Sequence, residues 1–275
     1  MFKQGVMVKT TVPPRGVTMK TIGNLLFVPL SVLLLVLVAC EQSGALAAGW
    51  SAADLAVALD NPSRPEADKE RDAGRMPAEV VTFVGIEPGM RVLDVLASGG
   101  WYTEVLSVAV GSDGAVYTQN PQSYLESRGG ANGRALNERL AKDHLTNVVR
   151  MDVELGELTI EPGSVDAAIT ALNFHDTYNF SGPEAAAAFM QAIYAVLKPG
   201  GALGMIDHAG NADENNVKLH RIPKQVVVDI ATDAGFVLEA ESDVLAHSED
   251  NRTQMVFRLT RGKTDRFLLK LRKPG

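Results

Sequence analysis

The spacing of apolar positions changes repeatedly once the chain passes residue 78. Ala78, Val80, Val81 and Val84 fall at helical spacing and are closed by Gly85. A short apolar run at 91–95 follows, then small residues, then a helical pattern over 102–110. This alternation recurs. It predicts strands at 91–95, 115–118, 148–151, 165–171 and 202–207, with helices at 102–110, 122–142 and 183–197 between them. Gly129 and Gly130 interrupt the second helix, Pro183 suits the first position of the third, and Pro199-Gly200-Gly201 stops it. A further helix at 223–234 is closed by Gly235, and strands follow at 236–240 and 266–272. Repeated β-α-β units place the strands in parallel and cover both faces. The expected class is therefore α/β, a doubly wound, mostly parallel seven-stranded sheet with helices on both faces.

Before residue 78 the pattern is different. Lys20 precedes an apolar run at 25–38 that contains Pro29. A basic residue before roughly 7–15 apolar ones fits an export signal better than a spanning helix, which needs about 20. The run ends L-V-A-C, and Cys40 is the sole cysteine of the chain. This tetrapeptide resembles the lipobox of bacterial lipoproteins. That resemblance implies lipidation of Cys40 and a cell-envelope protein, held at a membrane and facing the periplasm or exterior. The alternative is a short anchor or uncleaved signal with an incidental cysteine. One cysteine excludes an intramolecular disulfide. The expected organisation is a signal at 1–39, a tether at 40–50, an N-terminal helical or lid segment at 51–77 and the main domain at 78–275. Ser51 is the expected cap of a helix at 51–59, and 62–77 is charged and broken by prolines.

Charge narrows the partners. The first 39 residues hold four basic groups and no acid, so 22 basic and 33 acidic residues remain, a net of −11. A nucleic-acid surface is excluded on that balance.

The candidate chemistry starts at 91–101, R-V-L-D-V-L-A-S-G-G-W. Strand, tight loop and helix in that order present backbone N–H groups at the carboxyl end of a strand. A dinucleotide fingerprint needs G-x-G-x-x-G, whereas only the adjacent Gly99 and Gly100 occur here. Asp94 with these loop glycines, Asp152 after the third strand and L-K-P-G-G at 197–201 resemble class I S-adenosylmethionine-dependent methyltransferases, whose sheet is Rossmann-like. Several segments also resemble a bacterial group of predicted methyltransferases. These are D-A-G-R-M-P at 72–77, G-G-W-Y-T-E at 99–104, N-F-H-D at 173–176, I-D-H at 206–208, L-H-R-I at 219–222 and R-G-K-T-D-R-F at 261–267. The resemblance implies methyl transfer from S-adenosylmethionine to a small molecule. It implies a cofactor site in which the loop at Ser98, Gly99 and Gly100 meets the methionine portion, above Asp94, with Asn173 also binding the cofactor. Asn120 would meet the ribose and Asp152 the adenine. The family loop has glycine where Leu96 and Ser98 stand, and an acid near Asn120.

A polar cluster accompanies that loop. His175 and Asp176 follow the fourth strand, Asp207 and His208 end the fifth, and His220 lies in the next connection. Ligands bind at the carboxyl ends of strands in such sheets. A histidine there, oriented by a carboxylate, can take a proton from a methyl acceptor. The same five side chains offer ligands to a metal ion, which would suit a metal-dependent hydrolase. A third reading is a lipid-anchored periplasmic binding or scaffold protein that keeps the fold without catalysis. Arg71 and Arg75 are either a solvated face or part of a lid. His144 and His247 are expected at the surface.

Overall fold

The computed structural model describes residues 49–275. The signal expected at 1–39, most of the tether and Cys40 lie outside the described residues. Seven strands form one sheet: β1 (Arg91–Val95), β2 (Ala115–Gln119), β3 (Val148–Met151), β4 (Val165–Ala171), β5 (Leu197–His208), β6 (Val237–Ser242) and β7 (Arg266–Arg272). Their order is β3-β2-β1-β4-β5-β7-β6. Strands β1 to β5 run parallel, and β7 is antiparallel to both β5 and β6. The expected α/β class is observed. The direction of winding reverses between β1 and β4, which opens a crevice outside their carboxyl ends.

Helices α1 (Ala52–Leu59), α4 (Pro77–Val84) and α5 (Trp101–Val110) pack on one apolar face with Leu55, Val81, Leu106 and Ile206. Gly204 of β5 permits the close approach of α4, since a Cβ there would stand 2.5 Å from Val84 Cγ2. Helices α8 (Pro183–Val196) and α10 (Lys224–Asp233) cover the other face through Phe189, Ile193 and Val227. Between β2 and β3 runs α6 (Gln122–Leu140), broken at Ser127–Gly130 where the backbone leaves helical geometry. Ser51 caps α1 through its hydroxyl, as its position predicts.

Two elements differ from the sequence reading. Strand β5 begins at Leu197, and Pro199-Gly200-Gly201 forms a bulge inside it. Leu197 pairs with Val165, and pairing resumes at Ala202 with Ala167. The segment after β4, for which the apolar pattern predicts no element, forms helix α7 (Phe174–Ser181). Its sequence is polar apart from Phe174, Tyr178 and Phe180. Tertiary contacts secure it: Phe174 is fully buried, and the Asp207 carboxylate accepts a hydrogen bond from His175 N at 2.7 Å. Short helices α2 (Glu66–Lys69) and α3 (Asp72–Arg75) precede α4, and α9 (Asn216–Leu219) precedes α10. Among the described residues no helix is long and apolar enough to cross a membrane.

Candidate functional site

A cleft of about 440 Å³ lies over the loop after β1. Its floor is residues 94–99 with Leu172 and Asn173 from the end of β4. Three non-glycine residues of this floor, Leu96, Ser98 and Leu172, hold φ near +51°, +55° and +63°. Such backbone is costly for a side chain, so surrounding contacts must impose it. Those contacts are visible. Gln119 Oε1 accepts from Leu96 N (3.1 Å), Asn120 Oδ1 accepts from Ser98 N (2.7 Å), and Asn173 Nδ2 donates to Leu96 O (3.1 Å). The loop is tied to the ends of β2 and β4. Leu96 turns its side chain toward the apolar cluster under α8.

Gly99 and Gly100 serve packing. A Cβ on either would come within 2.9 Å of Ala135 or Leu136 of α6, and Gly100 has φ +75°. The Ser98 and Gly100 amides are already used, by Asn120 and by Ala97 O. Asp94 is buried at the head of α5. Thr103 Oγ1 lies 2.6 Å from its Oδ2, while burial pushes its carboxyl up to about 7.

The far wall comes from the segment before α4. Asp68, Arg71 and Arg75 line the cleft, joined by Arg139 of α6. Of the two readings of Arg71 and Arg75, the structure places both on the cleft. Arg139 donates to Gly99 O at 2.8 Å, pairs with Asp68 at 2.7 Å and also pairs with the buried Glu104 of α5. Arg75 stacks 4.6 Å from the Trp101 ring. Its guanidinium and the Tyr102 hydroxyl make no side-chain hydrogen bond among the described residues, and both line the cleft. Burial, and then neighbouring Arg75, holds Arg71 down at about 10.

The histidine cluster adjoins this cleft beyond Asn173. His175 Nδ1 lies 2.6 Å from Asp207 Oδ1, its Nε2 lies 3.1 Å from Asp176 Oδ1, and His220 Nδ1 lies 2.9 Å from the same oxygen. Burial alone would lower His175, but Asp207 and Asp176 outweigh it and raise the imidazole to about 10. His208 is different. Burial drives it down to about 3, and its Nδ1 is buried without a partner among the described residues. His175 and His208 pack edge to face at 5.6 Å between ring centres. Phe180 and Phe257, both exposed, flank His220 at 5.5 and 4.8 Å.

The structure thus brings Asp94, Ser98, Gly99 and Asn173 to the cleft, with Gly100 just beneath it, and joins His175, Asp176, Asp207, His208 and His220 beside it. It does not bring Asn120 or Asp152 to the cleft. Asn120 is buried with both amide atoms on Ser98, and Asp152 pairs with Arg150 at 2.8 Å. His144 is exposed but reaches Glu104 at 2.9 Å, and His247 is half-buried, 3.3 Å from Arg266. Sequence reasoning missed Asp68, Tyr124 and Arg139. Tyr124 and Arg139 carry no local signal, since α6 brings them in from the side.

No family model matches the chain, and no curated protein matches it. Solved structures do. An S-adenosylmethionine-dependent methyltransferase from Aquifex aeolicus is 24% identical, with 82% of this chain and 99% of that one covered and a TM-score of 0.56. An S-adenosylmethionine-dependent methyltransferase from Mesorhizobium loti is 15% identical, with 72% and 97% covered and a TM-score of 0.50. The 4+2 cyclase SpnF is 18% identical, with 78% and 85% covered and a TM-score of 0.54. What the chain shares with all three is the doubly wound sheet, and its fold is that of the methyltransferases among them.

Proposed function

We propose that the chain uses S-adenosylmethionine to methylate a small molecule held against the histidine wall. One observation carries this reading: the cleft over the β1 loop and the charged chain Asp207–His175–Asp176–His220 share one edge of the sheet, with Asn173 between them. The cofactor's amino-acid half fits the donors present. Arg75 and Tyr102 offer unused hydrogen-bonding atoms to a carboxylate, and Asp68 and Asp94 face an ammonium. S-adenosylmethionine, when bound, supplies a methyl group on a positively charged sulfur. The remaining work falls to the chain's own residues. The segment carrying Arg71 and Arg75 walls the cleft and limits water. The braced loop fixes the position of whatever lies on it, and positioning carries much of the rate of a displacement. Asp176 holds His220 by Nδ1, which leaves Nε2 to accept an acceptor's proton.

Calorimetry on the full chain tests this reading. We expect saturable binding of S-adenosylmethionine well below 1 mM, a Kd limit worth about 4 kcal/mol. A folded sample that gives no binding at that concentration overturns it. The binding or scaffold reading is favoured by Asn120, whose side chain is committed to the loop. It requires that Asp94→Ala leave the cellular phenotype intact. We also propose attachment to a bacterial membrane through lipidated Cys40, supported by the basic and apolar pattern before it. Mass spectrometry of the chain from whole cells checks this, and an unmodified Cys40 in an uncleaved chain refutes it.

A further inference from the structure

We propose that His175 Nε2, Asp176 Oδ1 and His220 Nδ1 form a three-ligand site for a first-row divalent metal ion, with zinc the best match. The three atoms lie within 4.8 Å of one another. Two of the separations are 3.1 and 2.9 Å. Tetrahedral zinc with bonds near 2.0–2.1 Å needs ligand atoms about 3.3 Å apart. A small outward shift of the half-exposed Asp176 brings its two separations to that spacing, and the two imidazole nitrogens, within 4.8 Å of each other, would have to settle at it as well.

The surroundings also suit a metal. Asp207 is fully buried and receives His175 Nδ1, which fixes the ring and leaves Nε2 directed at Asp176. A carboxylate behind a ligating imidazole is the usual support for a metal-bound histidine. His220 comes from a different connection and holds φ +54°. It is kept there between Phe180 and Phe257, whose exposed rings leave an apolar rim around the site. Two imidazoles and one carboxylate favour zinc or iron over magnesium or calcium, which prefer all-oxygen sets. Three protein ligands with solvent on one side leave a coordination position open, the arrangement of catalytic rather than structural sites. A metal there would activate the acceptor in place of the His220 base, by binding the acceptor oxygen and favouring loss of its proton to solvent.

The site rests on these residues and not on the cofactor reading, so the two can fail separately. The test is zinc titrated into the metal-stripped full chain against a chromophoric chelator, with His220→Asn and Asp176→Asn alongside. Asparagine tolerates the left-handed backbone at 220, and both positions touch solvent, so folding should survive. We expect one equivalent bound by the native chain with a Kd on the order of 1 µM or tighter, and a loss of about a hundredfold in each variant. Cobalt in place of zinc should give a visible spectrum of four- or five-coordinate type that both substitutions abolish. No binding at about 100 µM zinc, or binding unchanged in both variants, overturns the proposal. S-adenosylmethionine binding measured on the same samples reports the cofactor reading independently.

Discussion

At the end of β2, Gln119 and Asn120 are neutral, fully buried and spent on bracing the neighbouring loop. At the ends of β4 and β5, His175, Asp176 and Asp207 are charged and paired with one another, and Asp176 and His220 remain in contact with solvent. Both sets stand on the same strand edge. The difference teaches that polar residues at such an edge divide into those that hold backbone and those that stay open to chemistry. Neutral amides suit the first task because they satisfy N–H and C=O groups together without an ionic desolvation cost. Charged pairs suit the second, provided that each partner has its counterpart.

The sharpest way to break this contrast is Asp207→Ala. It strips His175 of its carboxylate and removes the hydrogen bond to its backbone N–H. We expect a loss of about 5 kcal/mol, read by urea unfolding. A loss under about 1 kcal/mol would mean that the wall is not held together by charge. Asp94 gives the next effect, through pH. Its folded carboxyl sits at about 7 against an ordinary 3.8. Between those values the folded state holds a proton that the unfolded state has released. This contribution therefore makes stability fall as pH rises through the window, by on the order of 4 kcal/mol, and level off above 7. Asp94→Asn should flatten that part of the stability–pH curve. An unchanged slope would place Asp94 in a wetter setting. Asn120→Ala leaves Ser98 N–H without its acceptor and should cost about 1–3 kcal/mol by thermal or urea unfolding. An effect that small beside Asp207→Ala would sharpen the comparison. The smallest effect on stability belongs to Arg75→Ala, about 1 kcal/mol or less from the lost Trp101 contact. Its binding of a carboxylate-bearing ligand should nevertheless fall at least tenfold by calorimetry, about 1.4 kcal/mol.

Much of the sheet was legible because its strands leave short stretches rich in apolar residues, even where, as in β3, little of the strand is buried. The runs at 91–95, 148–151, 165–171 and 266–272 coincide with β1, β3, β4 and β7. Helix α7 was not legible, since its stability comes from Phe174 and from a carboxylate 32 residues away. The positions of His175 and Asp207 beside one another followed from their places at strand ends, and His220 joins them from the connection after β5. The roles imagined for Asn120 and Asp152 depended on which way a side chain turns, and neighbouring residues decide that. Asn120 met the unsatisfied amide of Ser98, and Asp152 met Arg150. Leu96 and Ser98 show the converse. Residues with side chains stand where the resemblance expects glycine, yet both adopt the left-handed backbone, because Gln119 and Asn120 hold it from outside.

Strand β7 has a consequence for synthesis. It sits between β5 and β6, so neither has its neighbour until residues 266–272 have left the ribosome. Up to that point β5 exposes a bare edge, and β6 has nothing to pair with. Both apolar faces also lack the side chains of Leu268, Leu269 and Leu271. The nascent chain therefore cannot complete its sheet before residues 266–272 emerge, and folding of this domain is delayed until they do. A growing chain in that state presents open strand edges that chaperones can hold and that other nascent chains can pair with.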